Sequence, residues 1–192
     1  MELVKNIKHL KILRYIFIAF VGTLILAISS KIKIPFYPVP MTMQTLVVLS
    51  IGVLLGWRLG LITIMLYLCE GLIGLPVFAG TPEKGIGIAY FVGPTMGYLI
   101  GFLPAVFFAG FLKVDNKYSL IYRIILNFIF LTFSVSFIYI FGLIWLLNFV
   151  PVEKIWVLGV LPFLPAETFK VLILTVCMSF FSKSILSWRS FR

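Results

Sequence analysis

Pro162-Phe-Leu-Pro-Ala-Glu167-Thr-Phe-Lys170-Val-Leu-Ile-Leu-Thr-Val176 opens an apolar run that carries no further charge until Lys183. Residues three apart share one face of a helix, so this spacing presents Glu167 and Lys170 together at the mouth of a hydrophobic helix. Ionisable groups inside membrane segments are costly, and they face a cavity, a partner or a substrate. Without any ligand, a carboxylate in a first helical turn still gains from the helix dipole, and a lysine can snorkel or neutralise it. Lys170 lies a turn inside the apolar run, which favours a ligand-binding role for the pair.

The rest of the chain has the same character. Of 192 residues, 62% are hydrophobic, 17% aromatic and only 11% charged, and the mean hydropathy is +1.17. A soluble domain carries about twice that charge. The expected fold class is therefore all-α: a polytopic membrane protein built as one integral domain over residues 1–192. A span needs roughly 20 apolar residues. Candidate helices run over about 12–30, 43–56, 59–73, 93–112, 120–149 and 166–181, a bundle of six transmembrane helices. The second and third are short, and Trp57-Arg58 between them predicts a tight hairpin.

The formal charge of +10 reports membrane orientation rather than an affinity for nucleic acid. With the N-terminus inside, the inner segments hold Lys5, Lys8, Lys11, Arg14, Arg58, Lys113, Lys117, Arg123, Lys183, Arg189 and Arg192. The outer segments hold only Lys31, Lys33, Lys84 and Lys154. This bias places both termini in the cytoplasm and the chain in the cytoplasmic (inner) cell membrane, with the lipid bilayer as its solvent. The first run also has the make-up of a secretory signal, with small residues near Ala27-Ile-Ser-Ser30, but its apolar core exceeds the usual length. Prolines cluster in the three outer loops (Pro35, Pro38, Pro40; Pro76, Pro82, Pro94; Pro151, Pro162, Pro165), and Pro104 alone sits within a span. Proline stiffens the backbone, so the outer loops are shaped while the inner ones are short and charged. A ligand site open to the outside fits this asymmetry, although prolines also simply end helices.

Three outer segments converge on the proposed site. In the first, Gln44 offers both donors and acceptors to an amide-like or ureido-like ligand, and it can equally serve as a helix cap or an interhelical bond. In the second, glycines from Gly71 to Gly97 surround Phe78, Tyr90 and Tyr98; the tyrosines can stack on a small ring or anchor in the headgroup layer. The third is the Glu167–Lys170 pair. Glu70, near the outer end of the third helix, is a weaker candidate that snorkelling also explains. Ala19, Thr23 and Ala27 recur at spacing four, which lets another helix approach closely. The chain has no His–carboxylate combination in a span, no nucleophile elbow, no metal-ligand cluster and no ATP-binding motif. It is therefore read as a non-enzyme without metal or cofactor. Cys69 and Cys177 stand alone in apolar runs and read as packing residues.

Pro38-Val-Pro-Met-Thr-Met-Gln-Thr-Leu46, Gly71-Leu-Ile-Gly-Leu-Pro-Val-Phe-Ala-Gly80, Gly93-Pro-Thr-Met-Gly-Tyr-Leu-Ile-Gly-Phe102 and Leu161-Pro-Phe-Leu-Pro-Ala-Glu-Thr-Phe-Lys170 occur in that order. Together they resemble the BioY family, the biotin-binding S components of energy-coupling-factor (ECF) transporters. The resemblance implies six helices, cytoplasmic termini, biotin uptake and a biotin site near the outer face. Where the family usually has Pro-Gly-Asp-x-x-Lys, this chain has Ala166 for the glycine and Glu167, one methylene longer, for the acid. It implies that Glu167 accepts from a ureido N–H, while Lys170 donates to the ureido carbonyl or holds Glu167 ionised. Gln44 would complement that polar end, and Phe78, Tyr90 and Tyr98 would cover the thiophane and valerate. In this family the face carrying Ala19, Thr23 and Ala27 docks a transmembrane coupling subunit that joins two ATPases; packing inside the bundle is the alternative. The rivals are an S component for another vitamin such as thiamine, and a small membrane enzyme or scaffold.

Overall fold

The computed structural model describes the backbone of residues 2–34, 37–112 and 118–181, and their side chains except those of 2–9 and 34. Of the inner basic set, the side chains of Lys5, Lys8, Lys113, Lys117, Lys183, Arg189 and Arg192 therefore lie outside the described residues. Among the described residues, three helices are long and apolar enough to cross a membrane by length and composition: Leu10–Lys31 within α1 (Glu2–Lys31), α2 (Gln44–Leu72) and α5 (Leu120–Leu146), α2 reaching that length only with both sides of its break at Gly56 counted together. A fourth candidate is the bent pair in which Val152–Gly159 meets α7 (Leu164–Phe180) at 44°. α4 (Met96–Gly110) is a shorter apolar helix with Pro104 inside it.

α2 is not straight. Gly56 has φ 70° and ψ 169°, a left-handed conformation that a Cβ would strain. The chain reverses there. Gln44 Nε2 donates to Tyr67 Oη at 2.7 Å, although residues 23 apart in a straight helix would stand about 35 Å apart. The expected helices over 43–56 and 59–73 are thus two arms, 44–55 and 57–72, lying side by side. The turn falls one residue before the expected Trp57-Arg58, because the glycine can take the φ that the reversal needs and neither of those side chains can. Trp57 and Arg58 are helical, with the Arg58 guanidinium 5.0 Å from the Trp57 ring centroid.

The helices pack closely where side chains are small. A Cβ on Gly101 of α4 would stand 2.6 Å from the Cα of Ile138 on α5, so these two backbones touch. Leu49, Ile64, Val106, Leu131, Ile138 and Met178 are buried between them. Leu13, Phe17, Ile129, Ile144 and Phe169 instead point outward and exposed, an apolar exterior suited to a lipid solvent rather than water.

Helix ends meet in two groups. At one end Thr45 bonds Glu167, Tyr98 bonds Gly159 and the Trp145 indole N–H donates to the Gly93 carbonyl at 2.9 Å. At the other, Trp57 stacks on Phe111 with centroids 5.8 Å apart, and Asn127 Nδ2 donates to Ser179 Oγ at 3.0 Å. The first end also carries small elements where the sequence predicts only loops. β1 (Lys33–Ile34) pairs antiparallel with β2 (Met41–Thr42), and α3 (Ile88–Phe91) precedes α4. A 3-10 turn over Val152–Lys154 leads into α6 (Ile155–Gly159). Among the described residues, that two-residue pairing is the only sheet beside the helices.

Gly56→Ala is expected to lower stability by about 1–2 kcal/mol, the cost of a Cβ in the left-handed region. A fall in the Tm of the detergent-solubilised protein would show it, and an unchanged Tm would contradict the reversal at this residue.

Candidate functional site

Pro165 stands in the first turn of α7, where a missing N–H leaves no bond unmade, and the Glu167 N–H already donates to the Phe163 carbonyl at 2.9 Å. The helix therefore begins in register with its charge pair. Glu167 and Lys170 are only 5% and 4% exposed, with Lys170 Nζ 2.6 Å from Glu167 Oε1. The other two Lys170 donors reach the Thr42 carbonyl at 2.6 Å and Thr45 Oγ1 at 3.0 Å. Thr45 Oγ1 in turn donates to Glu167 Oε1 at 2.9 Å. All three ammonium protons are thus used within the chain. Glu167 Oε2 is different: it is buried and has no hydrogen-bond partner among the described residues. An unsatisfied carboxylate oxygen is expensive to bury unless a donor reaches it.

Glu167 lines a cavity with about 530 Å³ of atom-free space, the open solvent at its mouth included. Thr42, Gln44 and Thr45 share its polar end, and Val39, Met41 and Leu99 supply aliphatic wall. Aromatic lining comes from Tyr90, Tyr98, Phe102, Tyr139 and Phe163. One end can therefore hold an uncharged hydrogen-bond donor while the walls cover an apolar body.

The structure brings Gln44, Tyr90, Tyr98 and Glu167 into this lining. Gln44 takes the interhelical bond to Tyr67 and lines the cavity as well; its Oε1 accepts from Thr42 Oγ1 at 3.2 Å. Tyr90 and Tyr98 are buried rather than interfacial, and their hydroxyls donate to the carbonyls of Ala79 at 2.8 Å and Gly159 at 2.9 Å. With those protons engaged, the rings are what the tyrosines present. Phe78 is not in the lining. It is buried behind Tyr90, stacked on it with centroids 4.9 Å apart and edge-on to Tyr67 at 5.2 Å. Lys170 likewise lies behind Glu167 rather than in the lining.

Ala19 and Thr23 turn inward, 2% and 1% exposed, and Thr23 Oγ1 donates to Glu70 Oε1 at 2.9 Å. Ala27 is half-buried against the core. Glu70 accordingly sits at the α1–α2 seam and outside the cavity lining. The face that α1 turns outward is bulky, with Leu13, Phe17, Phe20 and Leu24 exposed.

Tyr139, Phe163, Phe102 and Ile138 are lining residues that sequence reasoning missed. Tyr139 had a detectable signal, a lone hydroxyl in the apolar run Phe137-Ile-Tyr-Ile140; its ring packs edge-on to Tyr98 at 6.1 Å. The phenylalanines had none, since lipid-facing and cavity-facing rings look alike in sequence.

Comparison with known proteins bears on this site. Residues 4–187 match the model of the BioY family. A probable biotin transporter BioY of Pyrococcus horikoshii is 36% identical over 146 residues, 75% of this chain and 81% of that protein. The biotin transporter BioY2 of Lactococcus lactis subsp. cremoris is 34% identical over 159 residues, covering 81% of this chain and 82% of its own. Among solved structures, the S component for biotin from an ECF-type ABC transporter superposes with a TM-score of 0.73. It is 29% identical, with 90% of this chain and 93% of that chain covered.

Lys170→Met leaves Glu167 buried without its counter-ion and is expected to cost about 3–5 kcal/mol. Lys170→Met combined with Glu167→Gln should recover a large part of that loss in thermal unfolding, because no lone charge remains. A double variant as unstable as the single one would contradict the coupling.

Proposed function

This chain belongs to the BioY family, and on that premise we propose that it is the substrate-binding S component of a biotin transporter, taking biotin at the outer membrane face for uptake into the cell. It is a transport subunit and not an enzyme. The observation that carries the ligand assignment is that Glu167, a lining residue of the cavity, has a buried Oε2 without a partner. Biotin presents a ureido ring with two N–H donors and one carbonyl acceptor. Glu167 Oε2 accepts from a ureido N–H, and the second Gln44 Nε2 hydrogen, not used by Tyr67, is available to the ureido carbonyl. Lys170 has no donor left for the ligand, so its role is to keep Glu167 ionised and aimed. Tyr90, Tyr98 and Tyr139 cover the thiophane and valerate, and Phe78 supports them from behind. A site whose buried polar groups pair with the ligand rejects analogues that leave them unpaired.

The same geometry supports a membrane arrangement. Both arms of α2, together with α1, α4, α5 and α7, make six crossings between the cavity end and the opposite end. Arg58 and Arg123 lie towards the opposite end and Lys31 and Lys84 towards the cavity end, so the positive-inside rule puts the cavity outside and both termini in the cytoplasm of the inner membrane. An ECF transmembrane coupling subunit and two ATPases are the partners the family implies. Of the small-residue stripe on α1, Ala27 is the member left in part at the surface.

Calorimetric titration of the purified protein with biotin is expected to give tight one-to-one binding. Glu167→Gln should weaken it about 10- to 100-fold, the value of one hydrogen bond to a charged group. Absence of binding by folded wild type would sink the biotin assignment.

A further inference from the structure

α1 contributes no side chain to the cavity lining, yet its outer end holds one wall in place. Lys31 Nζ donates to three oxygens of a single loop: the Phe78 carbonyl at 3.0 Å, the Thr81 carbonyl at 3.3 Å and Thr81 Oγ1 at 3.0 Å. Thr81 Oγ1 itself donates to the Phe78 carbonyl at 2.8 Å, so the loop is closed on the ammonium. Ser30 Oγ adds a bond to the Val77 carbonyl at 2.8 Å, an oxygen that Tyr67 Oη also reaches at 2.8 Å. Lys31 is itself exposed, and its ammonium directs its donors to this one segment.

That segment is cavity wall. Ala79 lines the cavity, and its carbonyl accepts from Tyr90, which lines it too. On the other side, Gln44 leads through Tyr67 to Val77. Residues 77–81 therefore link two lining elements, one on α2 and one in the 79–90 region, to the end of α1, which also meets α2 directly through the Thr23–Glu70 bond. We infer that Ser30 and Lys31 are positioning residues: a clasp that holds the 77–81 wall against the ligand and so sets how long biotin is retained. This rests on the biotin reading for its ligand, but not for its geometry. Neither Ser30 nor Lys31 lines the cavity, and through the 77–81 segment the clasp ties the end of α1 to Ala79 and Tyr90.

The test follows dissociation of radiolabelled biotin after a chase of unlabelled biotin, together with the number of sites, for wild type, Lys31→Met, Lys31→Arg and Ser30→Ala. Lys31→Met keeps the aliphatic stem and loses the donors; it should release biotin about tenfold faster from an undiminished number of sites. Lys31→Arg, which restores donors, should return to within about threefold of wild type, and Ser30→Ala should fall between. Unchanged dissociation overturns the clasp, as does a loss of sites with normal dissociation from those that remain, which marks a purely structural role. Should Lys31→Met fail to fold, Ser30→Ala decides by the same criteria. Amide hydrogen exchange across 77–91 in ligand-free protein separates the two claims. If wild type does not bind biotin, the functional reading fails, while faster exchange in Lys31→Met still supports the clasp and unchanged exchange still overturns it.

Discussion

Burying an ion pair in a helix bundle strips water from both charges, at a cost of several kcal/mol per ion before their attraction returns any of it. For Glu167 and Lys170 the balance is tolerable only because nearly every remaining hydrogen bond is made. That requirement reaches far along the chain. Thr42 must bring its carbonyl, and Thr45 its hydroxyl, to the first turns of α7. The β1–β2 pairing and the start of α2 deliver both. The reversal at Gly56 then sends the second arm back along the first, so that Tyr67 meets Gln44 beside the same site. One carboxylate oxygen is left over, and the residue that carries it lines the cavity. The single acceptor left bare is the one that the proposed ligand's donor would complete.

Rigidity in the remaining walls serves the same end. Tyr90 and Tyr98 have their hydroxyls tied to backbone carbonyls, so their rings are fixed before a ligand arrives. Phe78 fills the space behind Tyr90 and Tyr67. Little side-chain freedom remains to be lost on binding, which favours affinity beyond what buried area alone would give. The short elements α3 and α6 and the β1–β2 pair all lie at this end, close to the cavity.

Much of this was legible in the sequence, for reasons that differ by residue. Glu167 and Lys170 stood out because a charge in an apolar run is expensive and rare. The α2 hairpin was visible as two short apolar runs, and its turn was misplaced by one residue because Trp57-Arg58 is the more conspicuous interruption while Gly56 has the permissive backbone. The lining aromatics were mostly not legible. In water the buried face of a helix is marked by hydrophobicity, but in lipid the exterior is equally apolar, so nothing in the pattern tells which of 20 phenylalanines point inward. Ala19 and Thr23 show a related ambiguity: small residues announce a close helix neighbour without saying whose helix it is, and here the neighbour is the chain's own α2. Phe78 was picked out by its glycine-rich surroundings, which reflect tight packing behind the wall.

The measurement that bears most directly on this account is a crystal structure of the protein with biotin, read at one atom. Glu167 Oε2 should lie about 2.7–3.0 Å from a ureido nitrogen, the length of a charge-assisted hydrogen bond, with the Lys170 bonds to Thr42, Thr45 and Oε1 unchanged. Biotin bound elsewhere, or bound in this cavity with Oε2 still unpartnered, would contradict it.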